Sequence, residues 1–225
     1  MAEAPTDVLL CWSSGKDSAW TLHVLRGKPE LRVVGLLTTM NTTHERVAMH
    51  AVRRELLLTQ AEAAGLPITE VPIPIGCTNE QYDQAMAVAL ERARGEGVRA
   101  VAFGDLYLQD IRRYREDRLR GTGLEPLFPL WGEPTDRLAR QMIQGGLRAR
   151  ITCVDARAMP VELCGAELDE EFLGALPSGV DPCGENGEFH SFAFGGPMFA
   201  DDLAIRVGET VSRDGFVFTD LLPSA

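Results

Sequence analysis

Residues 13–18 read Ser13-Ser14-Gly15-Lys16-Asp17-Ser18, and this hexapeptide decides the fold of the 225-residue chain. It follows an apolar run at 8–12 and precedes a helix-like segment that starts at Ala19. A buried strand, a tight turn of small residues and a helix N-terminus gather backbone N–H groups and the positive end of the helix dipole at one point. Three hydroxyls and an ammonium group beside that point predict a site for a polyphosphate.

The hexapeptide is not a Walker phosphate loop. That pattern needs a glycine five residues before the Gly-Lys pair and Ser or Thr directly after the lysine, and here those positions hold Leu10 and Asp17. The stretch resembles instead the pyrophosphatase loop of the N-type ATP pyrophosphatases, Ser-Gly-Gly-x-Asp-Ser, with Ser14 in place of the first glycine. If position 14 has a positive φ, serine there costs of order 1 kcal/mol. A serine-rich turn capped by Asp17 or Ser18 is the alternative interpretation.

The composition of the chain argues against several classes of partner and of cysteine site. A net charge of −11 makes general nucleic-acid binding an unfavourable interpretation. No apolar run approaches the roughly 20 residues that span a bilayer, and the N-terminus lacks the pattern of a secretion signal, so we expect a cytoplasmic protein without a membrane partner. Five cysteines with no C-x-x-C pair argue against a disulfide framework, a zinc ribbon and an iron–sulfur site.

Alternating apolar runs and helical patterns predict an α/β fold with a doubly wound, mostly parallel, Rossmann-like sheet. Strands are expected at 8–12, 31–37, 68–75 and 98–103, and helices at 17–26, 46–64, 80–94 and 106–119. We place an ATP-binding domain at 1–120 and a smaller α+β region at 121–225. In that region we expect a helix at 135–144, a strand at 148–154, a helix at 169–176 and a hairpin around Asp214-Gly215. The segment 177–197 is rich in glycine and proline, and no regular element is expected there.

Loops that follow parallel strands meet at one edge of the sheet. The loop at 38–45, with Thr38 and Met40, is therefore expected beside the hexapeptide as a flap for the adenine or the substrate, or as a plain surface loop. Gly104 and Asp105 follow the fourth strand and offer close backbone approach and a carboxylate. Asp105 could alternatively cap the next helix.

A second dense constellation lies at 181–191, where Glu185 and Glu188 stand three residues apart and are flanked by glycines, with His190 beyond them. Either glutamate could bind Mg²⁺, hold an ammonium group or act as a general base, and His190 could carry a proton near neutral pH. A polar, glycine-rich turn with Glu188 as a cap is the alternative interpretation.

Several segments, in order along the chain, resemble the diphthine–ammonia ligase family of the adenine nucleotide alpha hydrolases. They are residues 13–18, 104–115, 126–131, 146–149, 184–191 and 197–199.

The resemblance implies that Ser13, Ser14, Gly15, Lys16, Asp17 and Ser18 bind the ATP phosphates. It implies that Gly184, Glu185, Gly187, Glu188 and Phe189 form the acceptor site. His190-Ser191 departs from the family's usual ending of this motif, which puts the acceptor in question and not the ATP chemistry.

The implied reaction is adenylation of a substrate carboxylate, with release of pyrophosphate, followed by amidation with ammonia. Lys16 and the loop amides would stabilise the phosphates with Mg²⁺, Asp17 would position the metal indirectly, and Asp105, Glu185, Glu188 and His190 would act on the acceptor or ammonia. The expected partners are ATP, a carboxylate-bearing acceptor and free ammonia, and a homodimer is compatible with the sequence.

Three alternatives remain open at this stage. The acceptor could be the modified histidine of elongation factor 2 or a small metabolite. The chain could be a non-catalytic nucleotide-binding module, which the intact Lys16-Asp17-Ser18 argues against. Transfer-RNA thiolation usually needs a cysteine pair or a basic RNA platform, and the sequence shows neither; an essential Cys183 beside a dispensable Glu188 would favour it again.

Overall fold

The computed structural model describes residues 4–41, 46–47 and 52–224. The first part of the chain forms a six-stranded sheet. Its strands are β1 (Thr6–Cys11), β2 (Leu31–Asn41), β3 (Arg46–Val47), β4 (Ile68–Ile73), β5 (Ala100–Ala102) and β6 (Glu125–Leu127). The helices that accompany it are α1 (Lys16–Arg26), α2 (Arg54–Ala63), α3 (Asn79–Gly95) and α4 (Gln109–Leu119).

Five of these strands run parallel in the order β4–β2–β1–β5–β6, and β3 pairs antiparallel with the end of β2. The chain builds outward from β1 through β2 and β4, and then crosses back to β5 on the other side of β1. This reversal places a crevice beyond the carboxyl ends of β1 and β5, where ligands bind in open parallel sheets. The doubly wound fold predicted from the sequence is confirmed.

Side-chain alternation along β1 divides the core into two layers. Val8 and Leu10 pack in one cluster with Leu22 of α1 and Leu56 of α2. Leu9 points to the opposite face, into a cluster that contains residues of α3 and α4. The sheet is therefore covered on both faces, which explains the continuous apolar runs of its central strands.

The rest of the chain forms helices α5 (Thr135–Gln144) and α6 (Glu170–Ala175) and a four-stranded antiparallel sheet. Its strands are β7 (Arg148–Asp155), β8 (Phe189–Gly195), β9 (Ile205–Arg213) and β10 (Phe216–Pro223), in the order β8–β7–β10–β9. The expected hairpin joins β9 to β10. The inward side chains of this four-stranded sheet, among them Ile151 of β7 and Phe192 of β8, belong to the same core cluster as residues of α1 and α2.

The structure differs from the sequence-based expectations in five places. Residues 46–47 form β3 and α2 begins only at Arg54, while the intervening residues 48–51 lie outside the described part of the chain. Helix α4 begins at Gln109 instead of 106. Strand β8 lies within 177–197, because the glycines at 179, 184 and 187 with positive φ form the turns before the strand and leave 189–195 regular.

The fourth difference concerns the loop expected at 38–45. Strand β2 continues to Asn41, because β4 and β3 supply backbone partners for its last residues. Thr38 and Met40 are therefore strand residues, and residues 42–45 of the expected flap lie outside the described residues. In addition, β6 extends the parallel sheet beyond residue 120. None of the described helices has the length and apolarity that a membrane span requires.

Ser14 has a φ of 69°, and with Asp214 it is one of two non-glycine residues with positive φ in the described part of the chain. Ser14 therefore carries the conformational cost, of order 1 kcal/mol, that is expected for a serine with positive φ. The Ser14 hydroxyl is also buried and has no hydrogen-bond partner among the described residues, so the side chain adds a desolvation cost to the backbone strain.

Ser14→Gly should raise the free energy of unfolding by up to about 1 kcal/mol, because glycine adopts this conformation without strain. Urea denaturation monitored by circular dichroism measures the change. Asp214→Gly is the matched control, since Asp214 has a positive φ of 52° in an exposed Asp-Gly hairpin turn that tolerates Asp. A loss of stability in Ser14→Gly larger than that of the control would contradict the strain.

Candidate active site

Hydrogen bonds between the loop's own hydroxyl and backbone groups fix the conformation of residues 13–18. The Ser13 and Ser18 Oγ atoms lie 3.1 Å apart, and the Ser18 hydroxyl donates to the Gly15 carbonyl at 3.0 Å. The Gly15 N–H donates to Ser13 Oγ at 3.3 Å. Gly15 is also the N-cap of α1 and has no side chain to occupy the positive end of the dipole, so that end of the helix remains suited to an anion.

Strand β8 of the second sheet fixes the same loop from outside. The Ala193 N–H donates to the Ser14 carbonyl at 2.9 Å, and the Lys16 N–H donates to the Ser191 hydroxyl at 3.2 Å. The loop thus has one contact surface on the parallel sheet that precedes it and another on the antiparallel sheet that follows much later in the chain.

Gly104 supports the loop by allowing close packing. A Cβ atom at this position would lie 3.1 Å from the Asp17 carbonyl carbon and 3.2 Å from the Ser18 nitrogen. These contacts are tighter than ordinary van der Waals packing, so a side chain would displace the start of α1. The glycine predicted after β5 therefore acts on the loop backbone itself.

Lys16 is 3% exposed, and its ammonium group is held on several sides. Nζ donates to both Asp17 carboxylate oxygens, at 3.0 and 2.8 Å, and to the Cys183 carbonyl. It lies 5.4 Å from the centre of the Phe189 ring. Burial is the largest single effect and opposes the charge, but the negative charges around the ammonium group, Asp17 first among them, together outweigh it, and the pKa of Lys16 is raised. The lysine is a fixed cation at the start of α1.

A cavity of about 430 Å³ opens beyond the loop, between the ends of β1 and β5 and the 181–191 segment. Its wall includes most of the residues predicted for the site: Ser13, Gly15, Lys16, Asp17, Ser18, Thr38, Gly104, Asp105, Gly184, Glu185, Gly187, Phe189 and His190. The lining also includes apolar side chains, among them Leu37, Val47, Met86 and Ile111. An ammonium group and apolar side chains around one cavity suit a nucleotide.

Three predicted residues do not line the cavity. Ser14 is buried beneath the loop, and Met40 is buried in β2. Glu188 turns into its own loop, where its carboxylate accepts from the Asp181 N–H and from both the backbone and side-chain amides of Asn186, each at 3.0 Å. Burial alone would raise the pKa of Glu188, but these hydrogen bonds lower it below the usual value.

Glu185 is the glutamate of the pair that faces the cavity. Its carboxylate accepts from the Leu106 N–H at 2.9 Å, which ties the 181–188 loop to the connection between β5 and α4. Burial is the main cause that raises the pKa of Glu185, to about 7, and the negative charges of Asp17 and Asp105 add to it. A carboxyl group with this pKa exchanges a proton at neutral pH.

Asp105 forms an ion pair with Arg115, with 3.6 Å between Arg115 Nε and the Asp105 carboxylate. Burial raises the pKa of Asp105 despite this neighbour. The Arg115 guanidinium lies 5.0 Å from the centre of the Phe103 ring, which holds it against the end of β5. Asp105 is thus a wall residue of the cavity and does not act as the N-cap of α4, which is Leu108.

Burial favours the uncharged forms of both His190 and Cys183. Burial and the nearby Lys16 charge lower the pKa of His190, which favours the neutral imidazole. Burial raises the pKa of the Cys183 thiol to about 12, and this thiol donates to the Thr135 carbonyl at 3.4 Å. A thiol in this state is a poor nucleophile, which removes the main support for the thiolation alternative.

Sequence reasoning missed the residues that act through their backbone or from distant elements. The Cys183 carbonyl contacts Lys16, the Ser191 hydroxyl contacts the loop backbone, and Arg115 pairs with Asp105. Nothing in the arginine-rich segment 112–115 distinguishes Arg115 from its neighbours. Local spacing does not show which arginine pairs with a residue of another element.

Two family models match the chain: diphthamide synthase N-terminal domain over residues 6–126 and diphthamide synthase C-terminal domain over 134–218. Curated relatives named diphthine–ammonia ligase include a human protein, 27% identical over 77% of this chain and 67% of its own length. A zebrafish protein of the same name is 32% identical over 69% of this chain and 68% of its own, and a bovine one is 26% identical over 78% and 67%.

The first model alone covers more than half of the chain, and the matches extend through both sheets. The ligase class predicted from the sequence is the class of the relatives that it matches. The family resemblance is confirmed: the chain belongs to the diphthamide synthase family.

Proposed function

We propose that this chain is an ATP-dependent ligase that activates a substrate carboxylate as an acyl-adenylate and then amidates it with ammonia. One observation carries the proposal: the 13–18 loop, Lys16 and the Glu185 carboxyl meet in a single cavity at the crevice of the parallel sheet. An anion site and a group that exchanges a proton at neutral pH are what adenylation followed by amidation requires.

The cavity offers distinct places for the parts of ATP. The N-terminus of α1, with Ser13 and Ser18 beside it, suits the phosphates. The apolar lining around Leu37 and Val47 suits the adenine. With the phosphates at the loop, the α-phosphate would lie between the loop and the 184–190 segment, where an acceptor carboxylate would approach it.

Lys16 and Asp17 neutralise each other in the structure described here. On ATP binding, phosphate oxygens would replace Asp17 as partners of the ammonium group, and the Asp17 carboxylate would then be available to the metal that accompanies ATP. The described residues contain no group of three side chains that could hold a metal alone. Mg²⁺ usually binds through one or two carboxylates together with phosphates and water, and Asp17 fits that pattern, with Asp105 on the same wall.

The first step forms a bond between a carboxylate oxygen of the acceptor and the α-phosphorus of ATP, and pyrophosphate leaves with the electron pair of the broken P–O bond. Lys16 and the loop amides stabilise the charge that develops on the phosphates. Mg²⁺, when bound, would neutralise part of the same charge.

In the second step the nitrogen lone pair of ammonia attacks the acyl carbon, and AMP leaves. The attacking nitrogen must lose a proton, and the Glu185 carboxylate is the cavity group whose pKa, about 7, suits it to accept that proton. Asp105 contributes a further negative charge that holds an ammonium ion before it is deprotonated. His190 lines the wall as a neutral hydrogen-bonding group.

The acceptor class is proposed from the relatives, whose names specify diphthine and ammonia. A small carboxylate metabolite is the second candidate, favoured by the His190-Ser191 departure within the acceptor motif. The two are distinguished by an acceptor panel that contains a diphthine-bearing protein and free carboxylic acids.

Lys16→Ala should weaken ATP binding by about tenfold to a hundredfold, because a charge-assisted contact to phosphate is lost. Isothermal titration measures binding, and chromatography of the products separates AMP from ADP. Lys28→Ala, at the only other lysine of the chain, is the control and should bind ATP as the wild type does. Formation of ADP instead of AMP and pyrophosphate would contradict adenylation.

Glu185→Gln should lower kcat by about a hundredfold or more, because the base is lost while the acceptor for the Leu106 N–H is kept. In the wild type, activity should rise with pH through about 7, since the carboxylate is the active form. A pH–rate profile of the variant without this inflection is the expected result. An unchanged inflection would assign the titration to another group.

Stability provides an independent readout for the same variant. The folded-state pKa of Glu185 lies above its ordinary value, so folding binds a proton, and the contribution of this group to stability falls as pH rises from about 4.5 to 7. Glu185→Gln should therefore melt at a higher temperature than the wild type at pH 8 and at a similar one at pH 5. The reverse order would contradict the burial of this carboxylate.

Glu188→Gln should lower the free energy of unfolding by about 1–3 kcal/mol, since an amide cannot accept all the hydrogen bonds that this carboxylate accepts. The loosened loop should raise KM for the acceptor and leave ATP affinity unchanged. Glu162→Gln, on an exposed turn, is the control. Loss of turnover with unchanged stability and KM would instead place Glu188 in direct contact with the acceptor.

A further inference from the structure

Gln60 is a polar side chain of α2 with no exposed surface at all. Its amide makes three hydrogen bonds to different parts of the chain. Oε1 accepts from the indole N–H of Trp12 at 3.0 Å, and Nε2 donates to the carbonyl of Ser14 at 3.0 Å and to that of Ala193 at 2.6 Å. One side chain thus connects the end of β1, the nucleotide loop and β8.

The chemistry of these partners fixes the orientation of the amide. An indole N–H is only a donor, and backbone carbonyls are only acceptors, so Oε1 must face Trp12 and Nε2 must face the two carbonyls. A side chain that supplies one acceptor and two donors in this arrangement is a primary amide. A carboxylate of the same shape would direct an oxygen at both carbonyls.

The Ser14 carbonyl is the central partner because it belongs to the residue with positive φ. It accepts from Gln60 and from the Ala193 N–H. Because the peptide group is planar and trans, fixing this carbonyl also directs the N–H of Gly15 to the opposite side, where it donates to the Ser13 hydroxyl. The orientation of the loop amides therefore depends on what holds the Ser14 carbonyl.

We propose that Gln60 is a positioning residue that holds Ser14 in its left-handed conformation, so that the loop presents its amides and the start of α1 to the ATP phosphates. The proposal rests on the proposed function, in which this loop binds ATP. Gln60 itself does not line the cavity, and its effect reaches the nucleotide only through the loop.

Gln60→Met tests the proposal, since methionine keeps the length and the helix propensity of glutamine but supplies neither donor nor acceptor. ATP with Mg²⁺ and adenosine are titrated separately against wild type and variant. We expect the Kd for ATP to rise about tenfold or more and the Kd for adenosine to stay within twofold, because only the phosphates depend on the loop. Gln144→Met, at an exposed glutamine of α5, is the control and should change neither.

The strain at Ser14 gives a sharper test by double substitution. Glycine adopts positive φ without help, so the effect of Gln60→Met on the Kd for ATP should shrink to less than about threefold in a Ser14→Gly background. An undiminished effect would overturn the claim that Gln60 acts through Ser14. If Gln60→Met does not fold, Trp12→Phe removes the donor to Oε1 and should weaken ATP binding in the same direction.

Hydrogen exchange of the loop amides tests the proposal in the absence of any ligand. Gln60→Met should speed exchange at residues 13–18 at least about tenfold over the control. Unchanged exchange together with an ATP affinity within twofold of the wild type overturns the role of Gln60. Equal losses for ATP and adenosine at a lowered melting temperature also overturn it, as a merely structural effect. Failure of the proposed function is recognised separately, by Lys16→Ala binding ATP as tightly as the wild type.

Discussion

The hydrogen bond from the Ala193 N–H to the Ser14 carbonyl is the contact on which the rest of the site depends. It joins the strained turn of the nucleotide loop to a strand of the other sheet, and the contact from the Lys16 N–H to the Ser191 hydroxyl follows it two residues later in the loop. Because both contacts come from β8, the same strand that begins with Phe189 and His190 also sets the loop that faces them. The phosphate site and the proposed acceptor site are therefore aligned by one element.

Charge in the cavity is arranged as a surplus of carboxylates around one buried ammonium group. Asp17 and the Cys183 carbonyl already engage Lys16, while burial and the negative charge of Asp17 raise the pKa of both Asp105 and Glu185. Such a cavity attracts cations, although its proposed nucleotide is an anion. A metal ion should therefore bind together with ATP. An ammonium ion can then bind in the same cavity after pyrophosphate has left.

The sequence was sufficient for the parts of the fold that local patterns determine. The apolar runs alternating with helices predicted the parallel sheet, the bounds of α5 agree with those expected at 135–144, and Asp214-Gly215 marked its hairpin. Strand β8 escaped prediction because the glycines before it dominate the composition of the segment. The end of β2 escaped because its continuation depends on partner strands from elsewhere.

Within the site, the local sequence pattern identified which residue types are present but not which way their side chains point. Glu185 and Glu188 look equivalent in the sequence, yet one faces the cavity and the other accepts hydrogen bonds from its own loop. The difference arises from the turns at Gly184 and Gly187, both with positive φ. Gln60 gave no signal at all, since its partners lie 46, 48 and 133 residues away along the chain.

The separation between Ser14 and its partner on β8 has a consequence for how the protein is made. The hexapeptide leaves the ribosome well before the strand that holds its carbonyl has been synthesised. A nascent chain can complete the parallel sheet and still lack a working nucleotide loop, because its left-handed turn has no backbone partner until Ala193 emerges. Nucleotide binding is thereby postponed until β8 has been synthesised, and a chain that stops before β8 carries the motif without the geometry that makes it useful.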